Sequence, residues 1–125
     1  DESYNSNPQA LESAINNLNK IKNKNKILVI GDMLELGDYS KKFHKNIIKP
    51  IIRLMPKLVI TVGKKDCKII NDLLPKTIKN LHYKTYSKVY ERLIEEISDN
   101  DIVMIKGSNS INLSYICDKL KSNNL

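Results

Sequence analysis

The chain has 125 residues, 41% of them hydrophobic, and a formal net charge of +7, which suits one domain with a single core. No apolar run approaches the roughly 20 residues needed to span a bilayer, and no signal-peptide pattern occurs, so no membrane partner is expected and the cytoplasm is the expected compartment. Only two of the 21 basic residues are arginines, Arg53 and Arg92, and the lysines are spread along almost every segment, which argues against specific nucleic-acid recognition.

Helical and strand patterns alternate along the chain. Leu11, Ala14, Ile15, Leu18 and Ile21 fall at three- and four-residue spacing and predict a helix over 8–21. Asn7 suits its N-cap, and Pro8 its first position. The run Ile27-Leu28-Val29-Ile30, ended by Gly31, predicts a strand buried on both faces of a parallel sheet. Residues 40–55 read as a helix through Phe43, Ile47, Ile51 and Leu54, with Pro50 expected to kink or split it. A second buried strand, 58–62, ends at Gly63. A short helix over 65–74 stops at Pro75. The weaker, more polar strand 81–86 belongs nearer a sheet edge. A helix over 89–97 follows, with Ser87 as its cap. Ile102–Ile105 form a third hydrophobic strand before Lys106 and Gly107, and a last helix is expected over 111–120.

Strands alternating with helices of these lengths imply βαβ units. The expected fold class is therefore α/β: a single domain over 1–125, a Rossmann-like three-layer sandwich around a mostly parallel sheet joined by right-handed crossovers. Such sheets bind ligands beyond the carboxyl ends of their strands. Gly31, Gly63 and Gly107 mark that edge, beside Asp32 and Glu35, Lys64, and Lys106, Ser108, Asn109 and Ser110. The segment Asp1–Asn7 would reach the same edge if a strand precedes it. The chain starts at Asp1 without a methionine and is read as a piece of a longer protein.

Familiar catalytic signatures are missing. There is no G-x-G-x-x-G for a dinucleotide, no G-x-x-x-x-G-K-[ST] for a phosphate loop and no G-x-S-x-G elbow. Cys67 and Cys117 with His44 and His82 lack zinc-like spacing, so no metal site is expected. The two cysteines fall in apolar helical patterns and read as reduced, packed thiols, with a disulfide between them left open.

Three loop sequences carry more information. Asp1-Glu2-Ser3-Tyr4-Asn5-Ser6-Asn7-Pro8, Gly31-Asp32-Met33-Leu34-Glu35-Leu36-Gly37 and Lys106-Gly107-Ser108 resemble, in order and at suitable distances, three motifs of the MurF family of cell-wall peptide ligases. Those motifs run D-[DE]-S-Y-N-A-N-P, G-D-M-L-E-L-G and K-G-S-R-S. The second is matched without a gap, and His44 and Thr61-Val62-Gly63 also stand where that family has them. Asn109 departs from the usual arginine, which puts a charge-based role there in doubt. Lys45–Pro50 replace small residues and a glycine, which bears on packing.

The resemblance implies the C-terminal, Rossmann-like domain of a three-domain, ATP-dependent ligase. That enzyme would add D-alanyl-D-alanine to UDP-N-acetylmuramoyl-tripeptide through an acyl phosphate. ATP and Mg2+ would be held mainly by a central ATPase domain that this chain lacks, so the chain alone would be inactive. By the same resemblance Glu2 is the candidate contact to the nucleotide ribose, with Asn5 and Asn7 shaping that loop, and helix capping an equal reading of Asn7. Lys106 and Ser108 are the candidates for the dipeptide carboxylate, Lys64 a weaker one, and a solvated strand-end lysine is the plain reading of Lys106. Asp32 and Glu35 could orient or deprotonate the incoming ammonium, with turn capping the plain reading of Asp32. His44 reads as a packed or capping residue rather than a base. Two rival readings stand beside this one. The first is a non-catalytic, basic Rossmann-like binding module. The second is a Mur ligase adding a different amino acid, against which the missing D-N-P-R motif of the diaminopimelate-adding branch counts.

Overall fold

The computed structural model describes residues 8–107, with the backbone alone at Pro8, Leu34 and Glu35. Four parallel strands form one sheet in the order β3-β2-β1-β4. They are β1 (Asn25–Gly31), β2 (Leu58–Val62), β3 (Asn80–Tyr83) and β4 (Asp101–Lys106). Around them lie α1 (Pro8–Asn19), α2 (Ser40–Asn46), α3 (Ile48–Leu54), α4 (Lys68–Leu73) and α5 (Val89–Glu96), with a 3₁₀ segment, Leu34–Tyr39, after β1.

The continuous apolar runs behave as their composition dictates. All five residues of β2 are buried, as are the last five of β1. Alternate side chains feed two cores, because successive strand residues point to opposite faces. Leu28, Ile30 and Val59 pack with Leu11, Ile15, Ile51 and Ile70 of α1, α3 and α4. Ile27, Val29, Leu58, Ile60 and Val62 pack with Val89 and Leu93 of α5 on the other face. Helices on both sides of a parallel sheet make the three layers expected from the alternation. The polar strand 80–83 takes an edge position, with all four residues half-buried.

Local boundaries shift where a specific group competes. The helix expected over 40–55 divides at Ile47 into α2 and α3. Pro50 has no N–H to offer Asn46, so the ladder breaks there, while Ile47 N–H to Phe43 O and Ile51 N–H to Ile47 O keep the two pieces joined. Ser87 does not cap α5: its hydroxyl pairs with that of Thr85 at 3.2 Å, and the Lys88 position has no side-chain cap. The expected last helix, 111–120, and Cys117 lie outside the described residues.

The amino ends of the strands are tied by ions. Asp101 at the start of β4 has a fully buried side chain and meets Lys57 Nζ at 2.6 Å, just before β2. Lys57 also donates to the Glu96 carbonyl at the end of α5, at 2.9 Å. This knot sits opposite the edge where ligands of such sheets bind, and its work is structural.

Candidate functional site

The carboxyl edge is organised around Asp32, the first residue after β1, which is only 8% exposed. Its Oδ2 accepts the Lys65 backbone N–H and its Oδ1 accepts that of Cys67, both at 2.9 Å. One carboxylate thus ties the loop leaving β1 to the loop leaving β2. Two charge-assisted bonds of this kind hold more firmly than neutral ones. The approach is close because residue 63 is glycine: a Cβ there would lie 2.1 Å from Asp32 Oδ2, and its φ of +150° is a region side chains rarely adopt. Further backbone bonds run along the edge, from Asp32 N–H to Val62 O and from Gly63 N–H to Tyr83 O.

Cys67 lies beneath this turn, fully buried and with a free thiol. Burial pushes the thiol far above the ordinary range, and the neighbouring Asp32 carboxylate adds to the effect. A thiol held this way is inert as a nucleophile.

The other sequence candidates distribute along the same edge. Lys106 ends β4 and is 2% exposed, which overturns the plain reading of a solvated strand-end lysine. It is not without a partner, as expected of a lysine this buried. Glu35 lies in the 3₁₀ segment three residues after Asp32. Lys64 is exposed, directly after Gly63. Glu2, Asn5, Asn7, Ser108 and Asn109 lie outside the described residues.

His44 is fully buried on α2. Its Nδ1 lies 2.8 Å from the Ser40 carbonyl, which can only accept, so that nitrogen carries the proton. Burial lowers its pKa, outweighing the Ser40 bond and the charges of Asp32 and Asp66, which raise it. His44 is therefore a neutral, packed group bonded within its own helix.

Sequence reasoning overlooked one polar cluster. Thr61, in the otherwise apolar β2, donates to Asn71 Oδ1 on α4, and His82 Nδ1 of β3 lies 2.8 Å from Thr61 Oγ1. Asn71 Nδ2 in turn reaches Asn80 Oδ1 and the Leu81 carbonyl at 3.1 and 3.0 Å. The available signal was a threonine inside one buried strand and a histidine inside its polar neighbour. Only the β2–β3 register, Thr61 opposite His82, makes the two a pair.

A parallel α/β sheet with a glycine-lined carboxyl edge, its first two loops clasped through an aspartate, defines a Rossmann-like α/β domain. The chain belongs to the Mur ligase family, whose glutamate ligase domain matches residues 2–109. A UDP-N-acetylmuramoyl-tripeptide–D-alanyl-D-alanine ligase of Rickettsia prowazekii is 31% identical over 115 residues, which cover 92% of this chain and 25% of that protein. The enzyme of the same name from Bacillus subtilis is 30% identical over 122 residues, covering 95% and 27%. Among solved structures, a MurF ligase from Thermotoga maritima in complex with ADP superposes with a TM-score of 0.78 at 23% identity, covering 98% of this chain and 27% of that one. MurF from Acinetobacter baumannii gives 0.73 at 21% identity over the same shares. Identities this low speak for the fold. The chain spans about a quarter of the length of the relatives it matches.

Proposed function

We propose that this chain works as the C-terminal, dipeptide-binding domain of an ATP-dependent ligase that joins D-alanyl-D-alanine to UDP-N-acetylmuramoyl-tripeptide in peptidoglycan synthesis. The observation that carries this reading is the unbroken Gly31–Gly37 motif. It leaves β1 at the carboxyl edge, with its aspartate clasped to the next loop. The reading also draws on the relatives of that name, which align with nearly the whole chain.

Roles follow from placement. Both oxygens of Asp32 are engaged by backbone N–H groups, so we assign it to positioning: it holds the loop on which Glu35 is carried. Glu35 is then the candidate to orient the incoming ammonium or take its proton. Lys106 and Ser108 are assigned to the dipeptide carboxylate, because an ammonium in a low-dielectric site attracts an anion more strongly than a solvated one. Lys64, farther along the edge, is the second candidate for that carboxylate. Glu2, Asn5 and Asn7 are assigned to the nucleotide.

Among the described residues no group of three or more His, Cys, Asp or Glu could hold a metal ion. ATP and Mg2+ are assigned mainly to a central domain of the same enzyme. Closure of the present domain onto that one would bring amine and acyl phosphate together, where positioning supplies much of the rate. Both ATP and a UDP-linked substrate are cytoplasmic, and no helix among the described residues is long and apolar enough to cross a membrane.

The test uses the full-length protein and follows phosphate release from ATP with UDP-muramoyl-tripeptide, with and without D-alanyl-D-alanine. Release that depends on the dipeptide supports the reading. Release indifferent to it, or dependent on another amino acid, overturns it. Lys106→Met is expected to lower kcat/KM for the dipeptide by roughly 10- to 150-fold, the equivalent of one charged hydrogen bond, with the KM for ATP unchanged.

A further inference from the structure

The carboxyl edge carries a second feature, on the far side of β1 from Lys106. An open groove of about 490 Å³ is lined by Gly63, Lys64, Lys65, Lys68, His82 and Lys84. It lies beyond β2 and β3, whereas Lys106 ends β4. With β1 between them, β2 and β4 are roughly 10 Å apart at about 4.8 Å per strand. The groove lining contains four ammonium groups and one imidazole but no carboxylate. Two acids lie nearby without lining the groove: Asp32, whose oxygens accept from the Lys65 and Cys67 backbone, and Asp72, which makes a loose, exposed pair with the groove's own Lys68 at 3.8 Å. Four like charges around one concavity repel one another and attract an anion.

The hydrogen bonds behind the groove fix the state of its histidine. The Leu81 carbonyl can only accept, so Asn71 presents its amide N–H₂ to Leu81 and Asn80, and its Oδ1 to Thr61. The single hydroxyl proton of Thr61 is used on that Oδ1. Thr61 Oγ1 therefore accepts from His82, which must carry a proton on Nδ1. The remaining nitrogen, Nε2, makes no bond within this chain of donors and acceptors. It is a lone pair in the neutral ring and an N–H donor in the charged one.

We propose that this groove binds a small phosphate-bearing ligand, a diphosphate or phosphate monoester, between Lys68, Lys84 and the Nε2–H of a protonated His82. The volume suits a compact anion, and every titratable side chain that lines it is a cation or can become one. Burial, and then the charge of Lys68, lower the His82 pKa in the free protein, with Lys84 adding and Asp32 and Asp72 opposing. Lys64 and Lys65 complete the charged groups facing the groove. An anion here reverses that balance and raises the His82 pKa, so binding takes up a proton and tightens as pH falls. The site rests on the groove and not on the ligase reading; the two share only Lys64, the second candidate for the dipeptide carboxylate, which the double variant below leaves in place.

The experiment titrates inorganic pyrophosphate into the full-length protein labelled with ¹³C-histidine, at constant ionic strength. The His82 Cε1 resonance is assigned by its disappearance in His82→Gln. A saturable shift of that signal is expected, with a higher His82 titration midpoint. In Lys68→Gln/Lys84→Gln, two exposed positions whose replacement leaves the cores untouched, the affinity is expected to fall by at least about tenfold. The proposal is overturned if His82 does not respond to about 10 mM pyrophosphate beyond a sodium chloride control, or if the double variant binds as well as the parent. It is equally overturned if duplex DNA or RNA moves the signal with a steep salt dependence and pyrophosphate does not.

Discussion

Replacing Gly63 by alanine should break the clasp between the first two edge loops, and the size of the effect can be worked from the Asp32 geometry. The new Cβ would fall 2.1 Å from Asp32 Oδ2, so the carboxylate must leave. With it go the bonds to the Lys65 and Cys67 N–H groups. At about 1.5 kcal/mol for each charged hydrogen bond, that loss is about 3 kcal/mol. Holding alanine at a φ of +150° adds roughly 1–2 kcal/mol, for a total of about 4–5 kcal/mol. Asp32→Ala alone loses the same two bonds, about 3 kcal/mol. In the double variant the clash has no partner and only the backbone strain is added, so the total again reaches about 4–5 kcal/mol rather than the sum of about 7–8. The assay is urea unfolding of all four proteins, read as the shift in midpoint at unchanged slope. If the double variant equals the sum of the singles within about 0.5 kcal/mol, the clasp argument is wrong.

Two further outcomes concern pH. Burial raises the Asp101 pKa, but Lys57 and the Ser98 N–H outweigh it and hold the carboxyl below its ordinary 3.8. Its contribution is therefore complete above pH 3.8 and lost as pH falls through the lower folded value. Asp101→Asn should cost about 2 kcal/mol at neutral pH and flatten the acid limb of stability against pH; an acid limb as steep as the parent's would sink this assignment. His44 behaves in the same direction for a different reason. Its folded pKa lies below the ordinary 6.5, so as pH drops below that value the unfolded chain gains a proton that the folded one resists, and stability declines. His44→Gln should remove that part of the slope, and an unchanged profile between neutral pH and pH 5 (about where the carboxylates begin to titrate) would count against a neutral buried imidazole.

Much of the architecture was legible because strong local signals agreed with one another. The runs 27–30 and 58–62 are too apolar and too short for anything but strands buried on both faces, and both became so. The polar residues of 81–86 marked a strand nearer the sheet edge before any pairing was known, and the edge strand formed, over 80–83. Pro50 announced a break, although not that it would fall at Ile47, because the break lies where the missing N–H would have bonded rather than at the ring itself. The site was legible as an edge and as a set of motifs. It was not legible as a geometry. The Asp32 carboxylate finds its partners 33 and 35 residues away, and nothing near Asp32 in the chain foretells them.

The same division separates what sequence alone determined from what the tertiary structure decided. Hydrophobic periodicity, glycine punctuation and the ordered loop motifs determined an α/β parallel sheet, the edge that carries the candidate site and the family, since each depends on neighbours within a few residues. The burial of Lys106, the tautomer of His82 and the gathering of Lys64, Lys65, Lys68 and Lys84 around one groove depend on strand order and register. Those are decided when β2 takes its place between β1 and β3, because only a folded sheet brings distant loops to a common edge and gives a buried charge its surroundings.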